Sequence, residues 1–144
     1  MKSVIMKKIL FLALSLIFMI SCGGSKQKAS ENEMAEAREL IKAEVEAADE
    51  MLRGKQIDFM TVCDGAEFVN DEIHYYYTID EDYATIDVLK ASADDVKENQ
   101  KEMLESMPST KELVSLLETV GGSLTFHYKG NYSGETVSIA VYDF

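Results

Sequence analysis

An α+β fold is predicted for residues 30–144, in the order α-β-β-α-α-β-β, with a four-stranded antiparallel sheet and helices packed on one face. Three observations carry that expectation. Two long stretches repeat apolar residues at three- and four-residue spacing, the mark of a helix with one buried side. Each is followed by a pair of short segments with alternating apolar and polar residues, the period of a half-buried strand. Within each pair, a short Asn/Asp/Ser/Gly turn joins the two segments.

The first helix opens at Ser30, with Glu33 completing a capping box. Met34, Ala37, Leu40, Ile41, Val45, Ala48, Met51 and Leu52 then form its apolar stripe, and Gly54 is placed to end it. IDFMTVCDGAEFV and EIHYYYTID follow as a hairpin around Asn70-Asp71. The register of that turn sets Phe68 opposite Ile73, Ala66 opposite Tyr75 and Val62 opposite Ile79 on the core side. Cys63, Glu67, His74, Tyr76 and Thr78 then belong to the wetter side. Residues 86–107 read as one helix through Ile86, Leu89, Ala93, Val96, Met103 and Met107, interrupted by Gln100 and stopped by Pro108, the only proline. Ser109 with Glu112 marks a second capping box, before Leu113, Leu116, Leu117 and Val120, and Gly121-Gly122 ends that helix. SLTFHYKG and ETVSIAVYDF close the chain as a second hairpin through NYSG. Leu124, Phe126 and Tyr128 face Val141, Ile139 and Val137, while Thr125, His127, Lys129, Thr136 and Ser138 lie on the other side.

Residues 1–21 have a different character. Lys2, Lys7 and Lys8 precede twelve residues, 9–20, that are apolar but for Ser15. That run is too short to span a bilayer as a helix, which takes about 20 residues, and it fits a secretory signal. Met19, Ile20, Ser21 and Cys22 resemble the lipobox of bacterial lipoproteins, with Met19 where leucine is usual. The resemblance implies that Cys22 becomes the first mature residue and carries fatty acyl chains such as palmitate, which anchor the protein in a membrane. Residues 22–29 would be the lipidated cysteine and a short flexible tether, with a reach of roughly 25 Å. The SCGG start is similar to lipoprotein leaders of Bacteroidetes-type bacteria. It implies a cell with two membranes, and the basic residues after the glycines point to a periplasm-facing rather than surface-exposed domain.

The net charge is −12, or −15 with the three leader lysines set aside. So acidic a surface repels nucleic acid and anionic headgroups, leaving acylated Cys22 as the expected bilayer contact and an envelope protein as the expected partner. With Cys22 lipidated, Cys63 has no internal disulfide partner.

No phosphate-cradling glycine loop, HExxH, paired CxxC or GxSxG elbow occurs, and the expectation is a non-enzymatic domain without a cofactor or a bound metal. Two polar groupings stand against that. Cys63, His74, Glu67 and His127 share the wet side, as a thiol nucleophile or a zinc site would require, yet the strand rise sets Cys63 over 10 Å from His74. DEDYATID offers Asp80, Glu81, Asp82 and Asp87, but it lacks the glycine turn of a calcium loop. His74, Tyr76, His127 and Tyr142 remain as the candidate binding residues, since exposed tyrosines bury much area at small entropic cost. The leading reading is a protein-binding or accessory lipoprotein; the alternative is a small-ligand or metal-ion domain using the same polar and aromatic face.

Overall fold

The computed structural model describes residues 29–144, so the signal segment and Cys22 lie outside the described residues. The elements are α1 (Glu31–Leu52), β1 (Lys55–Asp58), β2 (Thr61–Val69), β3 (Glu72–Ile79), α2 (Ile86–Ala91), α3 (Ala93–Ser106), α4 (Pro108–Thr119), β4 (Ser123–Gly130) and β5 (Thr136–Asp143). They form one five-stranded sheet in the order β1-β2-β3-β4-β5. The fold is α+β as expected, with two corrections to the sheet. It has a fifth strand, because Asp58 Oδ1 accepts the Met60 N–H at 2.9 Å and turns the chain, splitting the predicted first strand into β1 and β2. It is also mixed, because β3 and β4 run parallel, from Glu72↔Ser123 to Ile79↔Gly130. Parallel neighbours need a long crossover, and α2, α3 and α4 supply it.

The helices follow their sequence signals with local departures. Ser30 Oγ caps the Glu33 N–H at 3.2 Å, and Ala37, Ile41 and Val45 form the buried stripe of α1. Gly54 takes the positive φ of 76° that ends it. The predicted helix over 86–107 is two helices, broken at Ser92, which has φ −108° and ψ 21° and whose Oγ bonds back to Val88 O at 2.7 Å. The Ser109–Glu112 box is not formed. Pro108 takes the first helical position of α4, and Thr110 Oγ1 donates to Met107 O and to Leu104 O.

The two turns and one bulge set the register. Asn70 and Asp71 both take positive φ, 54° and 62°, as a tight hairpin requires. Phe68↔Ile73 and Ala66↔Tyr75 pair as expected. Beyond them the ladder slips between Cys63 and Gly65, so Val62 meets Thr78 and Cys63 meets Tyr77. The extra residue, Asp64, reverses the alternation. Cys63 therefore turns into the core and is fully buried, which corrects its expected place on the wet side.

One core lies between the sheet and the helices. Ile41 and Val45 of α1, Ile86 of α2 and Leu117 of α4 meet Cys63, Ile73, Ile79, Leu124 and Val141 there, all fully buried. At roughly 1.5–3 kcal/mol for each large apolar side chain, this burial is the main favourable term. Tyr77 stacks on Phe126 and Tyr128 across the parallel pair, with ring centroids 5.7 and 5.5 Å apart. The Tyr128 hydroxyl accepts from Gln100 Nε2 at 3.2 Å, which gives the amide of this polar residue in the stripe of α3 one partner, while its Oε1 is buried without one among the described residues. With the helices gathered on this side, the opposite face of the sheet is left without a helical cover.

Candidate functional site

The uncovered face is where His74, Tyr76 and His127 meet. His74 and Tyr76 alternate along β3, and the parallel register places Tyr76 beside His127 of β4. Ser138 of β5 is the partner of His127 on the other side. Four side chains join in a hydrogen-bonded line across three strands. His74 Nε2 lies 3.2 Å from Glu72 Oε2, His74 Nδ1 lies 2.8 Å from His127 Nε2, and His127 Nδ1 lies 2.7 Å from Ser138 Oγ.

Proton accounting gives this line a direction. An ionised carboxylate can only accept, so His74 Nε2 donates to Glu72. With both rings neutral, His74 Nδ1 must accept from the Nε2–H of His127, and His127 Nδ1 accepts the Ser138 hydroxyl proton. Both tautomers are thereby fixed by the network. Ring centroids 5.0 Å apart across a 2.8 Å bond put the two nitrogens nearly head-on. The lone pairs thus do not converge on a common point beside the rings, and sharing an ion would require them to turn apart. Among the described residues, no three His, Cys, Asp or Glu side chains form a metal-ligating group.

Aromatic stacking and carboxylates hold the rest. The Tyr76 ring lies 4.9 Å from that of His127 at 16°, and its hydroxyl donates to Glu67 Oε1 at 2.6 Å. That bond to Glu67 pushes the Tyr76 phenol up to about 12, so it stays protonated and donating. Burial, and next the neighbouring His74, hold the His127 pKa below its ordinary value, with Glu67 acting in the opposite sense. Thr78 Oγ1 donates to Asp64 Oδ2 at 2.6 Å. Asp64, Glu67, Tyr76 and His127, with Arg53 and Ser138, border an open trough of about 610 Å³.

The trough has a built wall. Asp49 of α1 accepts the Ala66 N–H at 2.8 Å and holds the Arg53 guanidinium at 2.8 Å, tying the helix to the bulge in β2. These bonds, first that from Ala66 and next that from Arg53, keep the Asp49 carboxyl below its usual range. Gly65, with φ of 148°, sits against this pair, and a Cβ there would lie 2.7 Å from Asp49 Oδ1.

Three of the four candidate binding residues, His74, Tyr76 and His127, are thus brought together, and the fourth is not. The Tyr142 hydroxyl donates to Glu105 Oε1 of α3 at 2.9 Å, so this side chain belongs to the helix side, and burial followed by Glu105 raises its pKa to about 12. The ladder slips between Leu124 and Thr125, pairing Leu124 with Tyr142, and strict alternation through β5 does not account for that. Cys63, buried with its thiol pKa pushed up by desolvation, is remote from the histidines in chemistry as well as position. Glu72 and Ser138 were the partners that motif reading passed over. Their signal was positional: Ser138 shares the wet-face alternation with His127, and Glu72 lies two residues before His74.

The site sits on a small α+β scaffold: a five-stranded mixed sheet, a three-helix crossover and one open polar face. No protein-family model matches the chain, and no curated protein matches it in sequence. Among solved structures, the crystal structure of a Pseudomonas aeruginosa protein inferred to be secreted is similar, with a TM-score of 0.61. The match has 10% identity and covers 80% of this chain and 96% of that one. A likeness at that identity shows a shared fold.

Proposed function

We propose that this protein is a membrane-anchored lipoprotein of the bacterial envelope that works as a non-enzymatic binding domain, using the uncovered sheet face to dock a partner protein. The observation that carries this reading is the ordered line Glu72–His74–His127–Ser138 with Tyr76 stacked upon it. Side chains locked by mutual hydrogen bonds on rigid strands lose little freedom on binding, which is the advantage of a preorganised surface. The lipobox-like leader supports the anchor, and the fold shared with a protein inferred to be secreted is in keeping with a place outside the cytoplasm. Several acyl chains at about 0.8 kcal/mol per buried CH₂ hold far more firmly than one. No helix among the described residues is long and apolar enough to cross a membrane, so anchoring in this reading falls to Cys22.

Cross-linking in native envelopes tests both parts. With the parent chain as bait, one stoichiometric partner is expected; Cys22→Ser should leave the membrane fraction and lose it. His74→Ala with His127→Ala should keep the chain on the membrane and lose the partner. Retention of Cys22→Ser as tight as the parent's contradicts the anchor, and a partner indifferent to both histidines contradicts the docking face.

A further inference from the structure

We infer that one end of the sheet, built from the β1–β2 turn, the β3–α2 loop and the β4–β5 loop, is a second docking surface, and that it takes a basic segment of a protein partner. Phe59, Tyr83 and Tyr132 stand there with 69%, 63% and 70% of their surface exposed. Phe59 and Tyr83 meet edge to face at 5.2 Å, and the Tyr132 hydroxyl donates to Asp82 Oδ2, next to Tyr83, at 3.3 Å. The loops that carry them are pinned to one another. Asp80 N–H donates to Met60 O at 2.8 Å, Asn131 N–H to Ile79 O at 3.0 Å, and Glu81 N–H to Asn131 Oδ1 at 3.0 Å. Glu81 Oε1 in return accepts from Tyr132 N–H and Ser133 N–H at 2.9 and 2.7 Å. Three exposed rings on fixed loops, with no core contact that needs them outside, mark an interaction surface.

Charge selects the occupant. Residues 58–60, 80–85 and 131–135 contain Asp58, Asp80, Glu81, Asp82 and Glu135, and no Lys, Arg or His. Backbone donors, that of Ser133 foremost, hold the Glu81 carboxyl below its usual range, and the Asp82 and Asp80 charges raise the Tyr132 pKa. Aromatic faces beside carboxylates suit Arg and Lys, whose heads pair with the acids while their stems and π-facing charge lie on the rings. Nucleic acid, anionic lipid and acidic proteins are repelled from the same place.

Position adds a third argument, which rests on the anchored reading above. The described chain enters at the other end of the sheet: Arg38, two turns into α1, forks onto Asp71 of the β2–β3 turn at 2.7 and 2.9 Å. From Val69 at that end to Thr61 at the aromatic end, β2 runs its nine residues, roughly 26 Å at the strand rise. With Cys22 in a bilayer, the aromatic end is the end farther from the point of attachment, open to whatever the domain meets.

The test is an amide-shift titration of the isotope-labelled full chain in zwitterionic nanodiscs. The probes are a short lysine–tryptophan peptide, its glutamate–tryptophan counterpart and maltohexaose. The basic peptide is expected to shift amides of residues 58–60, 80–83 and 131–135. The triple variant Phe59→Ser, Tyr83→Ser, Tyr132→Ser, which keeps every charge, should bind it about tenfold more weakly or worse. Unchanged amides around His127 show that this variant is folded. The inference is overturned by equal binding to the variant, which would mean diffuse charge attraction. Stronger shifts with the acidic peptide or the sugar, or shifts centred on His127 and Ser138, overturn it as well. Peptide binding is read whether or not the chain is lipid-held, so failure of the anchor, seen as membrane retention of Cys22→Ser, is distinguishable.

Discussion

His127 is the residue on which the open face turns, since it accepts from Ser138 and donates to His74. Its pKa lies below the ordinary value, so between that folded value and about 6.5 the unfolded chain binds a proton that the folded chain does not. Stability should therefore fall as the pH drops through about 6.5 and level off below the folded value. Urea midpoints across that range check it, and His127→Gln should flatten the curve. His74, Ser138 and Tyr76 touch this ring and Glu67 acts on it from nearby, and a second proton on the pair would set two N–H groups head to head. The carboxylates act lower. Asp49, Asp71 and Glu81 are depressed, and the stability they add is present above their unfolded values and lost as the pH falls through the folded ones. Cys63 makes a second residue-scale prediction: fully buried and with a raised pKa, it should resist iodoacetamide until the chain is unfolded. Fast labelling under native conditions would contradict the inward turn at the bulge.

Among the elements, β2 shows most clearly where sequence and structure part. Period-two alternation from Phe68 to Ala66 is legible, and the pairs it implies are present. The bulge at Asp64-Gly65 is not, because the partner it serves is distant in sequence: Asp49, seventeen residues before Ala66, claims the Ala66 N–H. A lone glycine in a strand pattern was the only local sign of it. Gly65→Ala should cost about 1–3 kcal/mol in urea melts, through a backbone angle that L-residues avoid and a Cβ driven onto Asp49. The core stripe of α4 was readable at three- and four-residue spacing, and Leu117→Ala should cost about 2–5 kcal/mol. The break at Ser92 was hidden, because a serine that bonds back to Val88 O looks no different in sequence from one facing solvent.

At the scale of the whole molecule, α+β organisation and helices on one side followed from local patterns, whereas the way the two strand pairs join did not. The parallel β3–β4 pairing runs through a three-helix crossover, and the aromatic ladder of Tyr75, Tyr77, Phe126 and Tyr128 becomes continuous only once those strands are neighbours. The same pairing draws His74 and His127 into contact, so most of the candidate site was named from sequence while its geometry came from topology. In the proposed reading, the attachment point and the aromatic end lie at opposite ends of the domain, with the open face between them. Paramagnetic relaxation by gadolinium-chelating lipids, read on amides of the lipidated chain in nanodiscs, tests it most directly. Stronger broadening is expected at Asn70, Asp71 and Ser123 than at Phe59, Tyr83 and Tyr132. A reversed gradient, or none at all, would contradict it.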